Sequence, residues 1–297
     1  MILAYAQLAA SMMLVGANVA VAKLLSEALP IALIAHLRCV IAFLVLLPLA
    51  AALEGLRLPP PRLLANLFWQ AVFGTALYNA GLLAGLRFTS ALEGGLVLAS
   101  LPAVVALGSF LWLRERLMPR QWLAAGLAGL AMAALTLARL RGEEAGAGSA
   151  IGNLLVFAGV IGEAVYVLLA KRMAGRVGIF TASLWMQGFS ALVLFPFALP
   201  GFGAAAALAE PRLAALLLFH ALTASVLCLL LWYHGLARVP AGTAGVFTAF
   251  LPATAALVAV AFLGEAFGAL HGLGLAVMLA SVLLASWPRR ATQPRSG

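Results

Sequence analysis

The chain is short of charge. Only 9% of its 297 residues are Asp, Glu, Lys or Arg, where a soluble domain carries about 25%. So little charge cannot cover a folded surface in water, which excludes an ordinary soluble enzyme or binding module. Cysteine is nearly absent: Cys39 and Cys228 both lie inside apolar runs, which excludes a disulfide framework and leaves them as packing residues. Four histidines and a few scattered acids provide no metal-ligand spacing. HExxH, GxSxG and the phosphate-binding GxxxxGK[ST] are all missing, so zinc chemistry, serine hydrolysis and ATP-driven pumping lack their residues. No metal and no cofactor is expected, and the chain is not read as an enzyme. The opening stretch "MILAYAQLAASMMLVGANVAVAK" lacks the basic start and cleavage site of a removable signal and reads as a retained first helix.

What is present is apolar length. Hydrophobic residues fill 65% of the chain, in runs long enough to cross a hydrocarbon layer of ~30 Å at ~1.5 Å per residue. The runs are rich in Ala and Leu without polar alternation, which argues against a β-barrel. The breaks between them predict an all-α polytopic membrane protein with ten spans: 4–25, 30–53, 63–86, 90–113, 121–140, 150–170, 178–199, 212–235, 240–263 and 267–287. The connections, such as "EGLRLPPPR", "RLRGEEAGAG" and "PGFGAA", carry turn chemistry. The net charge of +9 sits in short loops and a tail, the distribution that orients membrane proteins rather than one that binds nucleic acid. With the N-terminus inside, twelve basic residues (57, 62, 114, 116, 120, 171, 172, 176, 238, 289, 290 and 295) fall on the cytoplasmic side and five (23, 87, 139, 141 and 212) on the other. Both termini are therefore expected in the cytoplasm. The partners expected are a lipid bilayer and a small-molecule substrate, with no nucleic acid; a monomer suffices and a dimer is possible.

The chain also repeats itself. At a shift of 150, residues 85–115 meet 235–265 with twelve identities in 31 positions, among them Gly85 with Gly235, Pro102 with Pro252 and Glu115 with Glu265. A fainter echo at a shift of 148 joins Lys23, Leu44, Val45, Leu46 and Pro48 to Lys171, Leu192, Val193, Leu194 and Pro196. The halves are 1–145 and 146–287, followed by a basic tail, 288–297. Five spans per half is an odd number, so the second half enters the membrane in the opposite sense. Inverted repeats of this kind characterise secondary transporters, with the substrate site near midplane between the halves. Pro102 and Pro252 each remove a backbone hydrogen bond and bend their helix; the bend either shapes a cavity or is an ordinary packing kink. Glu115 and Glu265 sit at helix C-termini, the unfavourable end of the helix dipole, so each is expected to have a local partner or to cap the next helix.

At these residues a resemblance appears. "GLRFTSALEGGLVLASLPAVVALGSFLWLRE" and "GLARVPAGTAGVFTAFLPATAALVAVAFLGE" resemble the paired signature of EamA-type carriers in the drug/metabolite transporter superfamily, with "LRCVIAF" and "GEAVYVLLAKR" as further likenesses. Where that family often has Trp-Gly in its first helix, this chain has Val15-Gly16. The resemblance implies ten helices in two inverted halves and export of small metabolites, with an aromatic and neutral amino-acid exporter of the bacterial inner membrane as the nearest likeness.

Intramembrane polar residues are the candidate site. Glu163 lies near mid-depth of its span with Tyr166 on the same face; either it binds a substrate ammonium or a proton, or it pairs with Arg38 or His36. Arg38 is expected as a structural ion pair, and could otherwise hold a substrate carboxylate. "SALE", ending at Glu93, has capping-box spacing at a helix start. Tyr78, Asn79, Tyr166, Trp185, Gln187, His220 and Trp232 complete the candidates, flat apolar surfaces with a few hydrogen-bonding groups that suit an amphipathic or aromatic solute. A nucleotide-sugar or phosphorylated cargo on the same fold is the alternative, but it calls for clustered intramembrane cations, and beyond Arg38 and Lys23 none is found.

Overall fold

In the computed structural model the described residues are 2–56, 58–85, 87–88, 97–98, 100–115, 119, 123, 150–248, 250–251, 254, 257–258 and 261. Every regular element among them is helical. α1 is Ile2–Ser26 and α2 is Ile31–Glu54. α3 covers 61–85 in three parts: an α-helix Pro61–Ala71, a π-helical segment Val72–Leu77 and an α-helix Tyr78–Gly85. α4 is Leu101–Leu113, α5 is Ala150–Met173 and α6 is Ile179–Ala198, continued by a 3₁₀ helix over Leu199–Ala209. α7 again has three parts, Pro211–His220, a π-helical Ala221–Leu227 and Cys228–Leu236; α8 is Ala241–Phe247. Five of these stretches are long and apolar enough to cross a membrane: Ile2–Ser26, Ile31–Glu54, Ala150–Met173, Ile179–Ala209 and Pro211–Leu236. The spans expected at 121–140, apart from Leu123, and at 267–287, with Pro252 and Glu265 and all of 90–96, lie outside the described residues.

Local chemistry sets the helix ends. Proline stands in the first turn of α3, α4 and α7, where its missing N–H removes a donor that has no partner at a helix start. Gly55 at φ 65° and Gly175 at φ 78° supply left-handed backbone just past α2 and α5, the usual helix stop. One expectation is corrected. "PGFGAA", expected as a loop, is helical, because Pro200 starts a 3₁₀ run whose Ala204, Ala205, Ala207 and Leu208 pack on the buried Leu25, Leu29 and Leu33.

The packing is a set of antiparallel pairs. α2 lies along α6: Glu54 at its C-terminus reaches the backbone of Phe180 and Thr181, while Pro30 and Leu33 at its start contact Gly201. α3 lies along α5, with Gly85 against Gly152 and Val156, Gly81 against Gly159, and Gly74 against Tyr166. α1 lies along α7, with Gly235 against Ala4 and Leu8 and Ser11 on Cys228. The C-terminal end of α4 meets the start of α8 through Glu115 and Ala241. A Cβ on Gly81 would stand 2.7 Å from the Gly159 nitrogen and the Leu155 oxygen, so only glycine lets those backbones approach so closely. The outward faces carry Leu44, Leu53, Ile151, Leu154, Ile161, Leu192, Phe197 and Phe219, all exposed, as expected when lipid is the solvent.

Candidate functional site

The two π-helical segments organise the interior. A π turn holds an extra residue and weakens the local backbone ladder, and such turns recur at functional sites. In α3 the Thr75 carbonyl takes the Asn79 Nδ2–H at 2.6 Å. In α7 the Ser225 carbonyl takes the Gln187 Nε2–H at 2.7 Å from α6. The two amides expected among the cavity residues thus each spend an N–H on a π-segment carbonyl.

Cross-contacts bring these segments to one depth. Gly162 of α5 presses on the Phe73 carbonyl and Leu77, while Gly74 presses on Tyr166. Thr75 Oγ1 is 3.0 Å from Ser190 Oγ of α6, and His36 Nδ1 of α2 is 2.9 Å from the Ala191 carbonyl. His36, Thr75, Gly162, Tyr166, Ser190 and Ala191 therefore form one layer across α2, α3, α5 and α6. Arg38 and Glu163 sit in or next to it.

Both side chains face inward. The exposed Leu154 and Ile161 of α5 are nine and two residues from Glu163, about 180° and 200° away at ~100° per residue. One turn either side of Arg38, Ile34 and Ala42 are buried. Each charged side chain is half-buried, and among the described residues neither makes an ion pair or hydrogen bond. The pairing of Glu163 with Arg38 or His36, one of the two sequence readings, is not formed: His36 spends its Nδ1 on Ala191.

The other candidates divide between this layer and the core. Tyr78 is half-buried at the end of the π segment. Tyr166 and Trp232 belong to the main buried cluster, and Trp185 packs against it, 5.7 Å from Phe189. The indole N–H groups of Trp185 and Trp232 are buried without a hydrogen-bond partner among the described residues. His220 is tied down: its Nδ1 is 2.9 Å from Asn18 Oδ1, while Asn18 Nδ2 donates to Thr223 Oγ1 and to the Leu14 carbonyl, each at 2.9 Å. Asn18, Ser11, Thr75 and Ser190 were not singled out from the sequence. Ser11 and Asn18 are seven residues apart, two helical turns on one face of α1, and that spacing of small polar residues in an apolar helix was the available signal.

Pro102 occupies the first turn of α4, directly after a break at Ser100, whose hydroxyl donates to the Val97 carbonyl at 2.6 Å. The matching stretch of the second half has Thr248 donating to Gly245 at 2.6 Å. Glu115 acts at the end of the bundle rather than in the layer. Arg114 takes left-handed backbone, φ 55°, and its N–H and that of Glu115, the latter at 3.2 Å, both bond the Ser109 carbonyl, which closes the helix end. That turn aims the carboxylate at the Ser109 hydroxyl and at the Ala241 N–H, 3.0 Å away at the start of α8. At the same end Glu54 accepts from Phe180 N at 3.0 Å, Thr181 N at 2.8 Å and Thr181 Oγ1 at 2.7 Å. Lys171 Nζ donates to the carbonyls of Leu236 and Val239 at 3.0 and 2.5 Å. Carboxylates thus sit at helix starts and an ammonium at a helix end, the favourable polarity for each. A cleft of about 330 Å³ opens beside Glu54, bounded by Met173, Gly178, Phe180, Tyr233 and His234.

Apolar helices with lipid-facing exteriors and a polar interior layer define a multi-pass membrane protein. The chain belongs to the EamA-like transporter family, whose model matches it twice, over residues 2–137 and 150–287. It is a transporter, which is not an enzyme class. It is similar to the "Uncharacterized transporter YetK" of Bacillus subtilis (strain 168), 32% identical over 285 residues that cover 95% of this chain and 86% of that one. Its fold is shared with a protein of known crystal structure at 20% identity and a TM-score of 0.67, over 94% of this chain and 95% of the other.

Proposed function

We propose that the chain is a secondary transporter exporting small organic metabolites, amino acids with aromatic or neutral side chains foremost, by alternating access between halves 1–145 and 146–287. The halves contribute ten spans inserted in opposite senses, with both termini and the tail 288–297 in the cytoplasm of a bacterial cell and the bundle in its inner membrane. The observation that carries this reading is the antiparallel packing of repeat-matched helices. Residues 30–53 match 178–199 in the repeat, and α2 runs against α6; 85–115 match 235–265, and α4 runs towards the start of α8 from its far end. Two related bundles in opposite orientation have two arrangements of similar energy, one open to each side. The matched glycines support the same pairing: Gly85 seats α3 on α5, and Gly235 seats α7 on α1.

The solute site is the mid-depth layer, with Tyr78, Asn79, Glu163, Tyr166, Trp185, Gln187, His220 and Trp232 around it, and Pro102 and Pro252 at the hinges. The Glu115 and Glu265 ends act as anchors of the moving helices. A monomer contains the whole path. Purified protein in proteoliposomes moves L-phenylalanine saturably, and substrate on the far side accelerates uptake by counterflow. Absence of saturable movement of any amino acid overturns the proposal; flux without counterflow makes it a channel.

A further inference from the structure

We infer that Gln70 and Tyr233 form the inner gate of the solute path: the hydrogen bond between them shuts the cleft beside Glu54 off from the mid-depth layer, and the cleft is the vestibule from which solute reaches that layer. The inference rests on the transport reading above and names where its path is closed.

Three observations carry it. The first is position. The cleft of about 330 Å³ has Met173 and Tyr233 in its wall, and Gln70, which is fully buried, touches both. The Tyr233 hydroxyl donates to Gln70 Oε1 at 2.8 Å, and Gln70 Nε2 is 3.9 Å from Met173 Sδ. Along α5, Met173 lies seven residues beyond Tyr166 of the layer, ~10 Å at ~1.5 Å per residue. Along α3, Gln70 is one turn before Gly74, which presses on Tyr166. Cleft, Gln70 and layer therefore succeed one another along the same two helices.

The second is chemistry. Gln70 belongs to the first half and Tyr233 to the second, so their bond crosses the two bodies that the transport reading moves. Gln70 Nε2 also donates to Asn66 Oδ1 at 2.6 Å, which holds the amide with its oxygen towards Tyr233. A buried amide and phenol are costly without partners, yet exchanging their bond for bonds to water costs little net. Such a seal is firm while dry and parts readily once water enters, whereas a wholly apolar plug would have to expose its surface.

The third is what holds the seal. At the same end of the bundle, Glu54 and Glu115 of the first half bond the starts of α6 and α8 in the second. Lys171 bonds the carbonyls of Leu236 and Val239, just past Tyr233. Two of these latches bridge the halves, and the third pins the segment that carries Tyr233. This end bears Arg172, Arg176 and Arg238, the side expected in the cytoplasm.

The test places a cysteine in the layer, Thr75→Cys, in a full chain whose own thiols are removed by Cys39→Ala and Cys228→Ala. A membrane-impermeant maleimide labels it in inverted and in right-side-out membrane vesicles. Ser190→Cys, at the partner of Thr75, is the second reporter. Tyr233→Phe removes one hydroxyl and keeps the ring. It should raise labelling in inverted vesicles about threefold to tenfold, the scale of one neutral hydrogen bond, and lower it in right-side-out vesicles. Gln70→Met should shift both in the same directions, and the double variant should add little, since the two residues share one bond. Labelling that is unchanged on both faces overturns the gate. So does a rise on both faces, which marks a loosened core. Saturable L-phenylalanine flux by the native chain, with a labelling ratio that never moves, leaves the transport reading standing and removes the gate alone. If the native chain moves no amino acid and neither reporter is labelled from either face, both readings fail.

Discussion

Glu54→Ala tests how the two halves are joined at one end of the bundle. The carboxylate accepts from two backbone N–H groups and one hydroxyl of α6, at 3.0, 2.8 and 2.7 Å. Losing a helix N-cap costs ~0.5–2 kcal/mol, and removing a negative charge from a helix N-terminus adds ~0.3–1 kcal/mol. The site is partly accessible, so water recovers some of this, and the net loss expected is about 2 kcal/mol. At about 1.4 kcal/mol per decade, that corresponds to roughly 30-fold. Hydrogen exchange of the Phe180 and Thr181 amides reports it locally, and they should exchange about 30-fold faster in the variant. The apparent unfolding temperature in detergent should fall with it. Glu54→Gln keeps one acceptor oxygen without the charge and gives a smaller effect in the same direction. Gly178→Ala attacks the same contact sterically, because its Cβ would stand 2.0 Å from Glu54 Oε2. Since both substitutions break one latch, Gly178→Ala combined with Glu54→Ala should be clearly less than additive. Unchanged exchange at 180–181, or full additivity, refutes this account of how α2 holds α6.

Gly81→Ala should reduce the yield of folded protein severely, because its Cβ meets backbone on two sides at 2.7 Å, whereas Gly203→Ala, with nothing within 4 Å, should be neutral; size-exclusion profiles decide. Asn18→Ala and His220→Ala each break the hydrogen-bonded link between α1 and α7 and should destabilise by about 1–3 kcal/mol. A double-mutant cycle by denaturant titration should show strong coupling between them, and independent effects would refute the network. Trp232→Ala removes a side chain that is 1% exposed and should cost about 3–5 kcal/mol, read as lost yield. Tyr78→Ala, at the half-buried edge of the layer, should instead lower flux at normal yield; equal yields or equal fluxes for the two variants would contradict the division drawn here.

Much of the fold is legible in the residues because lipid imposes a simple rule. A backbone in hydrocarbon must satisfy its own hydrogen bonds, so an apolar run of sufficient length becomes a helix. The spans expected at 30–53, 150–170 and 178–199 accordingly appear as Ile31–Glu54, Ala150–Met173 and Ile179–Ala198. The third expected span is helical over 61–85, yet its π segment was not foreseen. "VFGTAL" reads as ordinary helix, and the extra residue in its turn accompanies contacts from elsewhere, with Gly162 pressed on the Phe73 carbonyl and Asn79 serving that of Thr75. Charge was legible by type and not by partner. Glu115 does have the local partner expected of it, Ser109, but the helix it caps begins at Ala241, 126 residues away.

The sequence by itself determined that this is a helical membrane protein built from a duplicated unit, since hydropathy and a matched register of glycine, proline and glutamate are properties of the chain alone. Only the tertiary structure decided which polar groups spend their hydrogen bonds on the backbone and which stay free. Gln187 and His220 have partners set by the packing of neighbouring helices, whereas the buried indole N–H groups of Trp185 and Trp232 have none among the described residues. A helix's residues fix what it carries; its neighbours fix what that cargo faces.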